Sequence, residues 1–115
     1  MEKDLKISVK DRCVTVRLAE DIDHHAAGRM RGRIDEIITE ILPRCVVLDF
    51  SSVAFMDSSG VGLIIGRAAL CEGIGADVRV VGARRAVRRI IALSGIERIS
   101  NVFVEDRLET EELLK

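Results

Sequence analysis

Aromatic side chains are nearly missing from this chain of 115 residues, which has three phenylalanines and neither tryptophan nor tyrosine. Proteins that bind single-stranded nucleic acid stack the bases on aromatic rings, so this composition disfavours that class. The formal net charge is −1, and no global field draws the chain to nucleic acid or to an anionic membrane. We therefore expect neither of these as a direct partner.

Cysteine is also scarce, and its spacing disfavours the common metal and redox motifs. Cys13, Cys45 and Cys71 are far apart and form no CxxC pair, so a zinc site is not expected. The N-terminal residues are charged and lack the apolar core of a signal peptide, and no apolar run has the length of a membrane span. These absences predict a cytoplasmic protein with buried thiols, no metal and no cofactor.

What the chain does contain is enough aliphatic surface for a core. Hydrophobic residues make up 48% of the sequence, which predicts one domain over residues 1–115 that folds without disulfides or metals. Alternating or β-branched runs predict strands at Leu5–Lys10, Cys13–Leu18, Cys45–Phe50 and Asp77–Val81, and a short strand or extended segment at Ile99–Val104.

Apolar residues at helical spacing occupy the intervals between these strands. They predict helices from about Asp23 to Pro43, from about Ser59 to Cys71, from Arg84 to Leu93 and from Arg107 to Lys115. The second helix is apolar nearly all round, which predicts deep packing, and Gly60, Gly62 and Gly66 are expected to allow close approach of a neighbouring backbone. The order ββαβαβαβα predicts an α/β fold, with a mixed sheet of four to five strands and helices packed against it.

The most informative stretch connects the third predicted strand to the second predicted helix. Asp57, Ser58 and Ser59 precede that helix, at a position where free N–H groups and aligned peptide dipoles favour an anion. Spacing alone favours a simple N-cap, because serine and aspartate are common capping residues. We expect Ser59 to cap the helix and Ser58 to stay free. Asp21 and Asp23 are the corresponding candidates for the first helix.

The same residues carry a family resemblance. The run from Phe55 to Gly62, FMDSSGVG after a buried strand, resembles the signature of bacterial anti-sigma factor antagonists, which are single STAS domains. The loop from Glu20 to His25 resembles the one that precedes the first helix in the sporulation sigma-F branch of that family. The segment from Arg84 to Gly95 resembles the third helix of the family. The resemblance spans almost the whole chain and implies a STAS-type sheet.

A partner-switching function follows from that resemblance. Antagonists of this kind bind, when unphosphorylated, an anti-sigma factor that is also a serine kinase, and the sigma factor is released. The kinase then phosphorylates one serine of the antagonist, which maps here to Ser58, and a serine phosphatase restores it. Asp23 maps to an acid of the kinase-facing surface. The implied partner-binding residues are Asp21, Asp23, His24, Asp57, Ser58, Ser59, Gly60 and Gly62.

Other functions remain open on the sequence. The same fold can serve a partner-switching cascade that ends in another stress response or in phosphatase control. A small nucleotide-hydrolysing enzyme would have to use Asp23, Asp57 and Ser58, but the glycines that follow do not match a Walker loop, and we expect no catalytic residues. His24 and His25 lack a third metal ligand at suitable spacing. The arginines of the third helix are expected to form a solvated face.

Overall fold

Five strands form one mixed sheet in the computed structural model, which describes residues 4–105. In spatial order they are β1 (Leu5–Lys10), β2 (Cys13–Leu18), β3 (Cys45–Asp49), β4 (Asp77–Val81) and β5 (Val102–Val104). The β1–β2 pair is antiparallel, and every later pair is parallel. The predicted α/β fold with a mixed sheet is therefore confirmed.

A tight turn at Asp11 and Arg12 joins β1 to β2. Both residues have positive φ, 54° and 62°, which is the two-residue turn whose twist matches that of paired strands. The guanidinium of Arg12 donates a hydrogen bond to the carbonyl of Leu42 at 2.9 Å. The amide of Arg44 donates to the carbonyl of Arg12 at 2.9 Å. These bonds attach the hairpin to the chain that enters β3.

Three helices follow the pattern expected from the sequence. They are α1 (His24–Ile41), α2 (Ser58–Glu72) and α3 (Arg85–Ser94). Leu42, at φ 51°, ends α1 directly before Pro43, and Gly95, at φ 76°, ends α3.

The segment after α3 differs from the prediction. A 3-10 turn occupies Ile96–Arg98, so β5 covers only three residues, Val102–Val104, of the extended stretch that we expected from Ile99. The helix predicted from Arg107 to Lys115 lies outside the described residues.

The core lies where the apolar stripes of the helices meet one face of the sheet. Alternate strand residues share a face, and those at the centre of the core are almost inaccessible to solvent: Val14, Val16, Leu18, Val46, Leu48, Val78 and Val80. Met30, Ile34 and Ile38 of α1 and Ile64 of α2 belong to the same buried cluster. Burial of a large aliphatic side chain contributes about 1.5–3 kcal/mol to the free energy of folding. The cluster can therefore hold the sheet and helices together without disulfides or metals.

The predicted deep packing of α2 holds for only one side of the helix. Its buried stripe contains Leu63, Ile64 and Ala68, but Ile65 is 45% exposed and Leu70 is 37% exposed. The helix lies against α1, α3 and β4, and these neighbours cover only one side of it. Its apolar composition therefore leaves apolar surface in contact with solvent.

An arginine is buried on the inner side of α2. The Arg67 residue is 6% exposed, and its Nε lies 2.9 Å from Oδ1 of Asp35 in α1. The Nε–H is not directed at that oxygen, and within residues 4–105 Nη1 of Arg67 has no hydrogen-bond partner. Desolvation lowers the pKa of Arg67, although the charge of Asp35 opposes the shift. The pair links α1 to α2 without satisfying the guanidinium.

The cysteines are free thiols, and two of them are buried as predicted. Cys45 and Cys71 lie in the protein interior, whereas Cys13 is half-buried. Burial raises the pKa of Cys71 to about 11, and burial together with the neighbouring Cys45 thiol raises that of Cys13 to about 11. These two thiols are therefore held in the protonated, unreactive form at neutral pH.

Candidate partner-docking site

Two loops meet at the edge of the sheet where the parallel strands end. The amide of Ile22, after β2, donates to the carbonyl of Phe55 at 3.1 Å, and the amide of Asp57 donates to the carbonyl of Ile22 at 3.0 Å. Ile22 and Met56 form an isolated parallel bridge, and both side chains are buried. The bridge fixes the start of α2 relative to the start of α1.

Asp21 strengthens this junction with its side chain. Its Oδ1 accepts hydrogen bonds from the amides of Ala54 and Phe55, at 2.9 and 3.1 Å. Of the two cap candidates for α1, Asp21 is therefore the wrong one, because its carboxylate is committed to the opposite loop. Asp21 is exposed and holds the two loops together. Its contact with a partner protein stays a prediction.

Asp23 is the residue that caps α1. Its carboxylate accepts a hydrogen bond from the amide of Ala26 at 2.8 Å. That bond is the main cause that lowers the pKa of Asp23, so the group stays ionised well into acidic solution. His24 and His25 follow it and are exposed, with their rings edge to face at 5.8 Å.

Asp57, and not Ser59, caps α2. The Asp57 carboxylate accepts a hydrogen bond from the Ser59 amide at 2.8 Å, and the Asp57 carbonyl accepts one from the Gly60 amide at 3.0 Å. Our expectation for Ser59 is wrong because the Ile22 bridge brings Asp57 into the extended conformation that a cap requires. Ser59 is half-buried in the first turn of the helix.

Ser58 stays free, as expected. It is the first residue of α2 and is exposed. Within residues 4–105, no side chain receives a hydrogen bond from its hydroxyl, and the carboxylate of the preceding residue, Asp57, is bonded to the Ser59 amide. Among the described residues, the Ser58 hydroxyl therefore has no hydrogen-bonded base that could activate it as a nucleophile. Such a hydroxyl is suited to be modified by another protein.

The predicted glycines have different surroundings from those expected. A Cβ on Gly60 would collide with Sδ of the buried Met56, so this glycine allows a side chain, and not a backbone, to pack against α2. A Cβ on Gly62 or Gly66 would meet nothing within 4 Å. The expected close backbone approach at these three positions is therefore wrong.

The comparisons with known proteins agree with this geometry. A family model for the STAS domain matches residues 4–108. The chain belongs to the STAS domain family. It is 34% identical over 88 residues to the anti-sigma F factor antagonist of Paenibacillus polymyxa, an alignment that covers 76% of this chain and 75% of the relative. Within the family it is an anti-sigma factor antagonist of the SpoIIAA type.

Two solved structures show the same fold over almost the full length of this STAS domain. The anti-sigma factor antagonist SpoIIAA in its unphosphorylated form is 26% identical, with a TM-score of 0.77 over 96% of this chain and 95% of that one. The Bacillus cell fate determinant SpoIIAA in the phosphorylated form is 25% identical, with a TM-score of 0.70 over 96% and 99% of the two chains. The family resemblance read from the motifs is therefore confirmed.

Sequence reasoning missed part of this surface. Phe55 was quoted only within the family motif, yet its side chain is 61% exposed beside Ser58. Arg84 was assigned to a solvated face, and it is exposed, but its Nε also donates to the carbonyl of Ser51 at 3.1 Å and ties the start of α3 to the loop after β3. The low aromatic content was the signal that could have singled out Phe55.

Between residues 4 and 105, no group of three or more His, Cys, Asp or Glu side chains could hold a metal ion. No helix in the same range is long and apolar enough to cross a membrane.

Proposed function

We propose that this STAS domain binds an anti-sigma factor that is also a serine kinase, and that phosphorylation of Ser58 ends the binding. In the unphosphorylated form it would sequester the kinase and free a sigma factor, which activates transcription in the cytoplasm. A serine phosphatase would restore the active form. The names of the relatives favour the sporulation sigma-F system as the output. In this scheme the chain is a regulator and a substrate, and it catalyses nothing itself.

The exposed hydroxyl of Ser58 is the observation that carries the proposal. It lies at the first position of α2, on a helix start fixed by the Asp57 cap and the Ile22–Met56 bridge. A kinase can approach it from solvent, and a docked partner would cover it. The predicted contact residues Asp23, His24 and Asp57 are exposed around the two joined helix starts and supply a rim for the same partner.

A phosphate on Ser58 would act mainly on the interface. It adds about −1.5 to −2 charges at neutral pH. The amides of Ser59 and Gly60 that could neutralise it are already bonded to Asp57, and the Asp57 carboxylate itself repels it. The dianion therefore depends on water for its stabilisation, and a partner that removes the water pays a desolvation cost. A loss of about 1.4 kcal/mol lowers affinity tenfold.

Intact-mass measurement after incubation with candidate anti-sigma kinases and ATP tests the proposal. We expect a gain of one phosphate, mapped by peptide fragmentation to Ser58, in wild type and in the matched control Ser59→Ala, and no gain in Ser58→Ala. Phosphate on Ser59 would contradict the assignment. Turnover of ATP by the chain alone, abolished by Ser58→Ala, would instead show an enzyme and refute the regulatory function.

A further inference from the structure

A groove of about 290 Å³ lies between α1 and α2, next to the start of α2. Two buried residues, Ala27 of α1 and Leu63 of α2, belong to its lining and form an apolar floor. Ser59, the neighbour of the exposed Ser58, also lines it. A protein docked over Ser58 therefore has this depression within its contact area.

Glycines keep the groove open from both helices. Gly28 of α1 and Gly62 of α2 line it, and a Cβ on either would meet nothing within 4 Å. Each glycine costs a helix about 1 kcal/mol relative to alanine. Gly32 of α1 and Gly66 of α2 also have open surroundings but are not part of the lining, so a side chain added at either of them would not fill the groove.

One arginine lines the groove. The guanidinium of Arg31 belongs to the lining, and within residues 4–105 no carboxylate lies within ion-pair distance of that guanidinium. Asp23 and Asp57 carry negative charge at the same helix starts, and their carboxylates are bonded to the Ala26 and Ser59 amides. An acidic group that enters the groove therefore depends on direct pairing with the Arg31 guanidinium.

We propose that the groove receives an acidic side chain of the anti-sigma partner, paired with the Arg31 guanidinium and seated between Gly28 and Gly62. This inference rests on the proposed function. Complementary charge at such a contact fixes the register of docking and the choice of partner. A phosphate on Ser58 would place a second anion beside the groove and oppose entry of the acidic group.

Substitutions that fill or recharge the groove test the inference. Gly62→Leu puts a side chain into the space, and Arg31→Glu reverses the charge that would hold the acid. We expect each to weaken binding to the anti-sigma kinase by roughly tenfold or more, measured by isothermal titration with the full chain. Urea denaturation should show unchanged or higher stability for Gly62→Leu, since leucine favours a helix more than glycine does.

Matched controls separate the groove from general effects. Gly32→Leu introduces the same side chain on α1 outside the groove, and Arg98→Glu reverses a charge on the 3-10 turn at the opposite edge of the sheet. Both should bind like wild type. If Gly62→Leu and Arg31→Glu both bind the kinase with the affinity of wild type, the groove inference is overturned and the proposed function stands. If wild type binds no anti-sigma kinase, the proposed function fails and this inference with it.

A small anion is the alternative occupant. Titration of the isolated chain with inorganic phosphate and with ATP should show no binding that depends on Arg31. Binding of either, lost in Arg31→Glu, would assign the groove to a small anion and contradict the proposal.

Discussion

At the scale of single residues, three aspartates that were all predicted to bind the partner protein accept hydrogen bonds from different backbone amides. Asp21 holds the amides of Ala54 and Phe55, Asp23 caps α1, and Asp57 caps α2. Local sequence limited the α1 cap to Asp21 and Asp23, and the contact of Asp21 with the opposite loop decides between them. The cap at Asp57 was not predictable, because Ser59 is an equally good capping type, and the choice depends on a bridge to Ile22, far away in sequence.

The cap at Asp57 leads to a stability prediction. Asp57→Ala removes the acceptor for the Ser59 amide, so we expect the free energy of unfolding to fall by about 1 kcal/mol. Asp57→Asn keeps a side-chain oxygen and should cost clearly less. Urea denaturation followed by circular dichroism measures both. Equal stability of Asp57→Ala and wild type would show that the hydrogen bond does not hold the helix start.

At the scale of elements, α2 shows where periodicity alone fails. Its residues are apolar on nearly every side, so the sequence predicted deep packing. The structure instead leaves Ile65 and Leu70 exposed and buries Arg67, because only one side of the helix has neighbours. The strands were easier, since alternation fixes which residues point inward, and β4 has the bounds that were predicted for it.

Two glycines of α2 provide a matched pair for testing this packing. Gly60→Ala forces a Cβ against the buried Met56, and we expect a loss of about 1–3 kcal/mol in the free energy of unfolding. Gly62→Ala meets open space and should gain up to about 1 kcal/mol through helix propensity. Thermal or urea denaturation of the two variants gives the comparison. A Gly60→Ala variant as stable as Gly62→Ala would refute the contact with Met56.

At the scale of the whole molecule, the order of the elements and the mixed sheet were predictable, because connection rules leave few ways to arrange this pattern. The junction of the two loops was not predictable, since Asp21 and Ile22 meet residues 54–57 only after the parallel strands have assembled. The boundary of one domain over residues 1–115 stays a prediction. What the assembled fold adds is a fixed platform from which a single hydroxyl projects.

The central claim is that phosphorylation of Ser58 prevents binding of the anti-sigma kinase and leaves the fold unchanged. Measuring the affinity for this kinase before and after phosphorylation tests it. Titration of the two purified forms, with amide NMR spectra of each alone, gives both quantities from the same samples. We expect affinity to fall by about 100-fold, or ~2.7 kcal/mol, while amide shifts change only near residues 55–62. Equal affinity of the two forms, or a loss of affinity accompanied by shift changes throughout the sheet, would contradict this mechanism.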